Sequence, residues 1–145
     1  MSYKKIEIMD TTLRDGEQTS GISFSPKEKL SIAKLLLEEL NVNRIEIASA
    51  KVSEGEMKAV KLITDWAREL GLLEKIEILS FVDGGSSIKW MEKAGAKTQN
   101  LLTKGSINHL KNQIKKTPSQ HFQDISNVIQ YAAVSYTHLR AHETS

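Results

Sequence analysis

The triplet Ile-Glu-Ile occurs three times, at residues 6–8, 45–47 and 76–78, each time inside a short stretch where apolar and polar residues alternate. Alternation of period two is strand patterning. Helical patterns fill the intervals, so the chain repeats at the scale of one βα unit. Ser25-Pro26-Lys27-Glu28 opens the first helix with a hydroxyl cap, proline at the first helical position and an acid in the first turn. That helix is predicted to run to about Leu40, with Leu30, Ile32, Ala33, Leu36, Leu37 and Leu40 on one broad stripe. Glu54 to Leu70 repeats the design, with Met57, Val60, Ile63, Ala67 and Leu70 inward and Gly71 as its stop.

The third strand is predicted at Ile76 to Val82, followed by the turn Asp83-Gly84-Gly85-Ser86, a short helix from Ser87 to Ala94 and a fourth strand at about Thr98 to Leu102. A basic helical stretch, Ile107 to Lys116, precedes Thr117-Pro118, which caps a last helix from Ser119 to about Ala133. Strands joined throughout by helices must lie parallel. The reading βαβαβαβα fits a small open α/β sheet or the first half of a (β/α)8 barrel.

Composition narrows the function classes. At 145 residues, 39% hydrophobic and 26% charged, the chain has the make-up of a soluble globular protein. A net charge of +2 offers no basic surface for nucleic acid or anionic lipid, so neither is expected as a partner. The absence of cysteine excludes disulfides, thiolate metal sites and a thiol nucleophile, and suits the cytoplasm. Met1-Ser2-Tyr3-Lys4-Lys5 leads into strand pattern rather than a signal core, and no apolar run reaches the roughly 20 residues of a membrane span.

No glycine-rich phosphate turn succeeds the first strand. The chain runs instead into Thr11-Thr12-Leu13-Arg14-Asp15-Gly16-Glu17-Gln18-Thr19, at the strand end where ligands sit in both candidate architectures. A carboxylate at Asp15 can hold a hard divalent cation, and the adjacent Arg14 guanidinium can stabilise an oxyanion forming on a carbonyl. The alternative is a plain turn in which Asp15 accepts backbone amides, Gly16 takes a positive φ and Arg14 pairs with Glu17 at the surface.

Leu13-Arg14-Asp15-Gly16-Glu17-Gln18, with Lys29 at a fixed interval beyond it, resembles the signature of the acetyl-CoA-dependent 2-oxo acid condensing enzymes. These are the 2-isopropylmalate, citramalate and homocitrate synthases, metal-dependent TIM barrels. The resemblance covers about Lys5 to Ala133 and implies an α/β fold, the N-terminal half of a TIM (β/α)8 barrel with about four βα units. It implies a Claisen condensation of acetyl-CoA, the co-substrate, with a 2-oxo acid, and then thioester hydrolysis, in a homodimeric enzyme. Asp15 would be a ligand of a divalent ion of Mg or Mn type, with Zn also admissible; Arg14 would bind the substrate and neutralise its keto oxygen; Glu17 and Gln18 would orient both.

Glu46 to Glu56, Ile78 to Gly84 and Asn100 to Ser106 look closer to the citramalate type than to the isopropylmalate type, where a Gly-Phe-Pro turn tends to come after strand two and a histidine tends to occur in strand four. In the citramalate type, apolar residues matching Leu79 and Leu102 line the pocket for the pyruvate methyl group. A related C–C lyase or aldolase, and a non-catalytic self-associating half-barrel, are the other classes.

Glu46, with Glu7 and Glu77, faces either the barrel lumen or the helices; parity alone leaves both open. Lys104 could meet a CoA phosphate or lie solvated. Lys111, Lys115 and Lys116 read as a solvated face, and His109 and His121 as surface or helix-packing residues. Residues 1–133 therefore read as a partial catalytic barrel of pyruvate carboxyltransferase type. Residues 134–145 resemble a translated transposase-type sequencing adapter, which leaves the helical spacing of His138 and His142 without meaning as a metal pair. On this reading the chain alone is inactive, and the strand-one and strand-four edges are exposed.

Overall fold

The computed structural model describes residues 6–135 and, as backbone, 138–144; Met1 to Lys5 and the residues flanking the last strand lie outside the described residues. Strands β1 (Met9–Asp10), β2 (Arg44–Ser49), β3 (Ile76–Phe81), β4 (Thr98–Lys104) and β5 (His138–Thr144) form one sheet. Every pairing is parallel and the spatial order is β1-β2-β3-β4-β5. Each strand lies beside its sequence neighbour with no reversal of direction, as in a barrel; a doubly wound sheet would reverse its order at a switch point. The chain is the N-terminal half of a (β/α)8 barrel.

Helices α1 (Pro26–Lys34, continued by a π-helical turn, Leu35–Glu39), α2 (Glu54–Glu69), α3 (Ser86–Lys93), α4 (Ile107–His109, continued by Leu110–Ile114) and α5 (Pro118–Val134) connect the strands. The α1 start is a complete capping box: Ser25 Oγ accepts from the Glu28 amide and the Glu28 carboxylate accepts from the Ser25 amide. The bond from the Ser25 amide, and then the Ser25 hydroxyl beside the carboxylate, lower the Glu28 carboxyl from its ordinary value.

Ile45, Ile47, Ile76 and Ile78 are fully buried and meet Ala33, Leu36, Leu37, Val60, Ile63 and Ala67 from α1 and α2. Each such isoleucine contributes about 1.5–3 kcal/mol by leaving water. A smaller cluster joins Leu101 to Ile88, Val128 and Ala132 under α3 and α5. The other face of β2, β3 and β4 lines the barrel lumen.

Three expectations are corrected. Ile6 to Ile8 is not a strand with a buried face: β1 begins at Met9, and Ile6 and Ile8 are 82% and 59% exposed, because among the described residues β1 is an edge strand paired with β2 alone. Leu40 and Leu70 leave their stripes and are exposed, since each lies past the last helical turn that meets the sheet. Strand four is not an edge, for β5 pairs along its whole length. The backbone of 138–144 is extended, so His138 and His142 are not a helical pair.

Candidate functional site at the C-terminal end of the strands

The chain leaves β1 through a tight turn in which the amides of Arg14, Asp15 and Gly16 all converge on the Thr11 carbonyl. Leu13, 1% exposed, anchors that turn in the core and so fixes the direction of the next side chain. Arg14 then spans two acids: its Nε donates to Glu46 Oε1 at 2.5 Å and its Nη1 to Asp15 Oδ1 at 2.8 Å. The second oxygen of Glu46 accepts from Asn100 Nδ2 at 2.7 Å. Glu46 is fully buried, so its charge is matched by a guanidinium and an amide rather than by water.

The plain-turn reading of this segment fails on two points. Arg14 pairs with Glu46 and Asp15, while Glu17 pairs with Lys29. Gly16 opens a 3-10 turn, Gly16–Gln18, and has no positive φ.

Register settles which face each strand residue takes, because residues paired across parallel strands project to the same side. Glu46 pairs with Glu77, Ser49 with Leu79, Leu79 with Asn100, and Phe81 with Leu102. Glu46, Leu79, Asn100 and Leu102 thus share the lumen face, opposite the isoleucines. Leu79 is 7% exposed and belongs to neither core cluster. Leu102 lines a cavity of about 140 Å³ with Phe81, Val82, Lys104, Ile114, Lys116 and His121. A second cavity, of about 210 Å³, is lined by Arg14, Glu17 and Gln18 on the β1 loop and by Ser49, Val52 and Glu56 after β2.

Asp15 has a side chain 62% exposed beside the Arg14 cation, an accessible hard oxygen donor at a strand end. That chemistry suits one ligand of a hard divalent cation. Among the described residues no group of three or more His, Cys, Asp or Glu comes together as a metal cluster.

The remaining candidates divide. Lys104 lines the Leu102 cavity rather than lying free in a loop. Lys116 is bonded to Asp124, and His121 is buried at the start of α5. Sequence reasoning gives no role to Asn100 or Glu56. The Asn100 bond to Glu46 joins residues 54 positions apart, which spacing does not reveal. The repeat of the glutamate-bearing triplet is the available sign that Glu46 is buried.

The sequence matches the HMGL-like family over residues 5–141. It is 39% identical over 128 residues to the (R)-citramalate synthase CimA of Methanocaldococcus jannaschii, covering 88% of this chain and 25% of that protein. It is 36% identical over 131 residues to the 2-isopropylmalate synthase of Pyrococcus furiosus, covering 89% and 26%. It is 36% identical over 128 residues to the homocitrate synthase AksA of Methanopyrus kandleri, covering 88% and 31%. The chain thus spans about a quarter to a third of these relatives. Among solved structures, the HMG-CoA lyase of Bacillus subtilis superposes with a TM-score of 0.65 at 17% identity, over 97% of this chain and 47% of that one, a likeness of fold.

Proposed function

The chain belongs to the HMGL-like family, and on that footing we propose that it is the N-terminal part of an acetyl-CoA-dependent 2-oxo acid condensing enzyme of branched-chain amino-acid biosynthesis, acting on pyruvate to form citramalate. The observation that carries the reading is Arg14, held between buried Glu46 and exposed Asp15 at the C-terminal end of a barrel strand.

In the reaction a base takes a proton from the methyl group of acetyl-CoA, the resulting carbanion bonds to the keto carbon of the 2-oxo acid while the carbonyl π pair passes to the keto oxygen, which is then protonated, and water cleaves the thioester to free CoA. Arg14 faces that developing charge with a guanidinium already oriented by Glu46, so little reorganisation is needed as the charge forms. Asp15 would hold a divalent ion, which when bound supplies Lewis-acid polarisation of the keto group. Gln18 and Glu17 support the loop around this centre. Leu79 and Leu102 share the lumen face with Glu46 but lie outside the lining of the Arg14 cavity; on this reading they would make the substrate pocket of the longer protein small and dry and favour a methyl over an isopropyl substituent. One methylene is worth about 1–3 kcal/mol in such a pocket. The whole enzyme is read as a cytoplasmic homodimer; among the described residues no helix is long and apolar enough to cross a membrane.

Residues 1–133 make up the barrel portion on this reading, and 134–145 are a translated adapter. Their pairing with β4 needs backbone groups alone, which an extended segment of any origin supplies. Reading the parent DNA across codon 133 tests this: a natural coding sequence continuing through the same residues overturns it.

The function is tested in the longer protein that carries this segment, by release of free CoA from acetyl-CoA in the presence of a divalent ion. Turnover with pyruvate well above that with 2-oxoisovalerate supports the citramalate reading; the reverse order supports isopropylmalate synthesis. Cleavage of a hydroxyacyl-CoA without condensation overturns both. The 145-residue chain alone is expected to release no CoA, because Asp15 is too few ligands for such an ion.

A further inference from the structure

We propose that Lys29 positions Arg14 by sequestering Glu17, the acid that would otherwise compete for its guanidinium. The catalytic meaning of this rests on the reading of Arg14 above, but its geometry does not. Lys29 is 1% exposed although it carries a charge, and its Nζ lies 2.5 Å from Glu17 Oε2 and 2.6 Å from Glu56 Oε1. An ammonium is buried so completely only when carboxylates replace its water.

Glu17 lies three residues beyond Arg14 on the same loop, and both line the 210 Å³ cavity. A carboxylate on that loop, if released from Lys29, has the Arg14 guanidinium as the neighbouring cation of the same cavity lining. Lys29 takes one oxygen and the Phe24 amide donates to the other at 3.0 Å, so Glu17 is turned away and Arg14 is left to Glu46 and Asp15.

Glu56 shows that this cage is built at the expense of a local bond. At the starts of α1 and α5 the third helical residue, Glu28 or Gln120, returns its side chain to the cap amide and closes a capping box. In α2 the cap Ser53 accepts from the Glu56 amide at 3.1 Å, but the Glu56 carboxylate goes to Lys29 instead. A closed box needs only local geometry; the cage ties the β1 loop, α1 and α2 together around one cation.

The test is made on the 145-residue chain by nitrogen-15 NMR of the Arg14 Nε–H, which donates to Glu46 in a part-buried bond and whose exchange with water is followed. In Lys29→Met, which keeps the bulk and removes the charge, exchange of that proton is expected to speed by about tenfold or more as Glu17 turns to Arg14. Adding Glu17→Gln to Lys29→Met is expected to restore it to within about twofold, while core backbone amides stay within about twofold in both variants; a merely structural lysine would instead speed those amides together with the Arg14 proton. Glu17→Gln alone is expected to leave the signal in place; if Lys29→Met does not fold, Lys29→Gln, which removes the charge but keeps a hydrogen-bond donor for the two carboxylates, is read by the same exchange measurement with the same expected and overturning results. An unchanged Arg14 signal in folded Lys29→Met overturns the proposal, as does its loss in Glu17→Gln or in the double variant. The readout needs no turnover, so its failure is separate from failure of the condensing-enzyme reading, which CoA release tests.

Discussion

Glu46 and Glu77 are the central residues of two copies of one triplet, both fully buried, and paired in register across β2 and β3. Their partners differ. Glu77 accepts from Arg44 Nη1 at 2.8 Å, and Arg44 Nε lies 3.6 Å from Glu7, so the pair ties adjacent strands near their N-terminal ends. Glu46 reaches Arg14, on the loop at the C-terminal end of β1, and Asn100, within β4, and so joins that loop to the strands of the sheet. The same local sequence dictates the same burial, and the neighbours decide the role. In barrels of this kind the N-terminal end serves stability and the C-terminal end serves chemistry.

The sharpest break of the comparison is Glu46→Ala. It strands Arg14 and Asn100 together, and urea unfolding is expected to show a loss of about 3–5 kcal/mol, the cost of removing one member of a buried ion pair. Next is Arg14→Lys in the longer protein. Arg14 bonds Glu46 through Nε and Asp15 through Nη1, a fork that a lysine ammonium cannot reproduce. CoA release is expected to fall by about 10²–10³-fold, the scale of losing one oriented oxyanion donor. Arg44→Lys in the same assay is expected to stay within about twofold, as befits the stabilising end. Glu77→Ala should cost about 1.5–3 kcal/mol on unfolding, the worth of hydrogen bonds to charged groups, since Arg44 is 21% exposed and keeps Glu7 near. An equal or larger loss in Glu77→Ala than in Glu46→Ala would erase the distinction.

The contrast also marks what is legible from sequence. The apolar residues flanking each glutamate, with Ser25-Pro26 and Thr117-Pro118 at helix starts, point to parallel strands joined by helices, and the caps form as expected. Arg14 and Asp15 stand out because they are adjacent in the chain. Glu46 does not, because its role depends on which strand lies beside β2 and on a turn that aims Arg14 at it, both set by tertiary packing. Lys29 is visible in the signature, whereas its cage requires knowing that α2 begins beside the β1 loop. The strand at 138–144 escapes sequence reasoning because resemblance to an adapter argues for no structure there, yet extended backbone pairs with β4 whatever its origin.

The smallest expected effect probes the strand next to both glutamates. Thr98 pairs in register with Glu77, and Asn100 lies two residues further along the same face of β4. Asn100 donates to Glu46, whereas the Thr98 hydroxyl, in a residue 1% exposed, has no hydrogen-bond partner among the described residues. A buried hydroxyl without a partner carries its desolvation cost uncompensated, and valine has the same shape without that cost. Thr98→Val is therefore expected to leave stability unchanged or raise it by up to about 1 kcal/mol, whereas Asn100→Leu, which removes a bond to a buried carboxylate, is expected to lower it by about 1.5–3 kcal/mol. Both are read from urea unfolding midpoints. If Thr98→Val instead destabilises as much as Asn100→Leu, β4 serves both glutamates alike, and the division between a stabilising end and a chemical end does not extend to this strand.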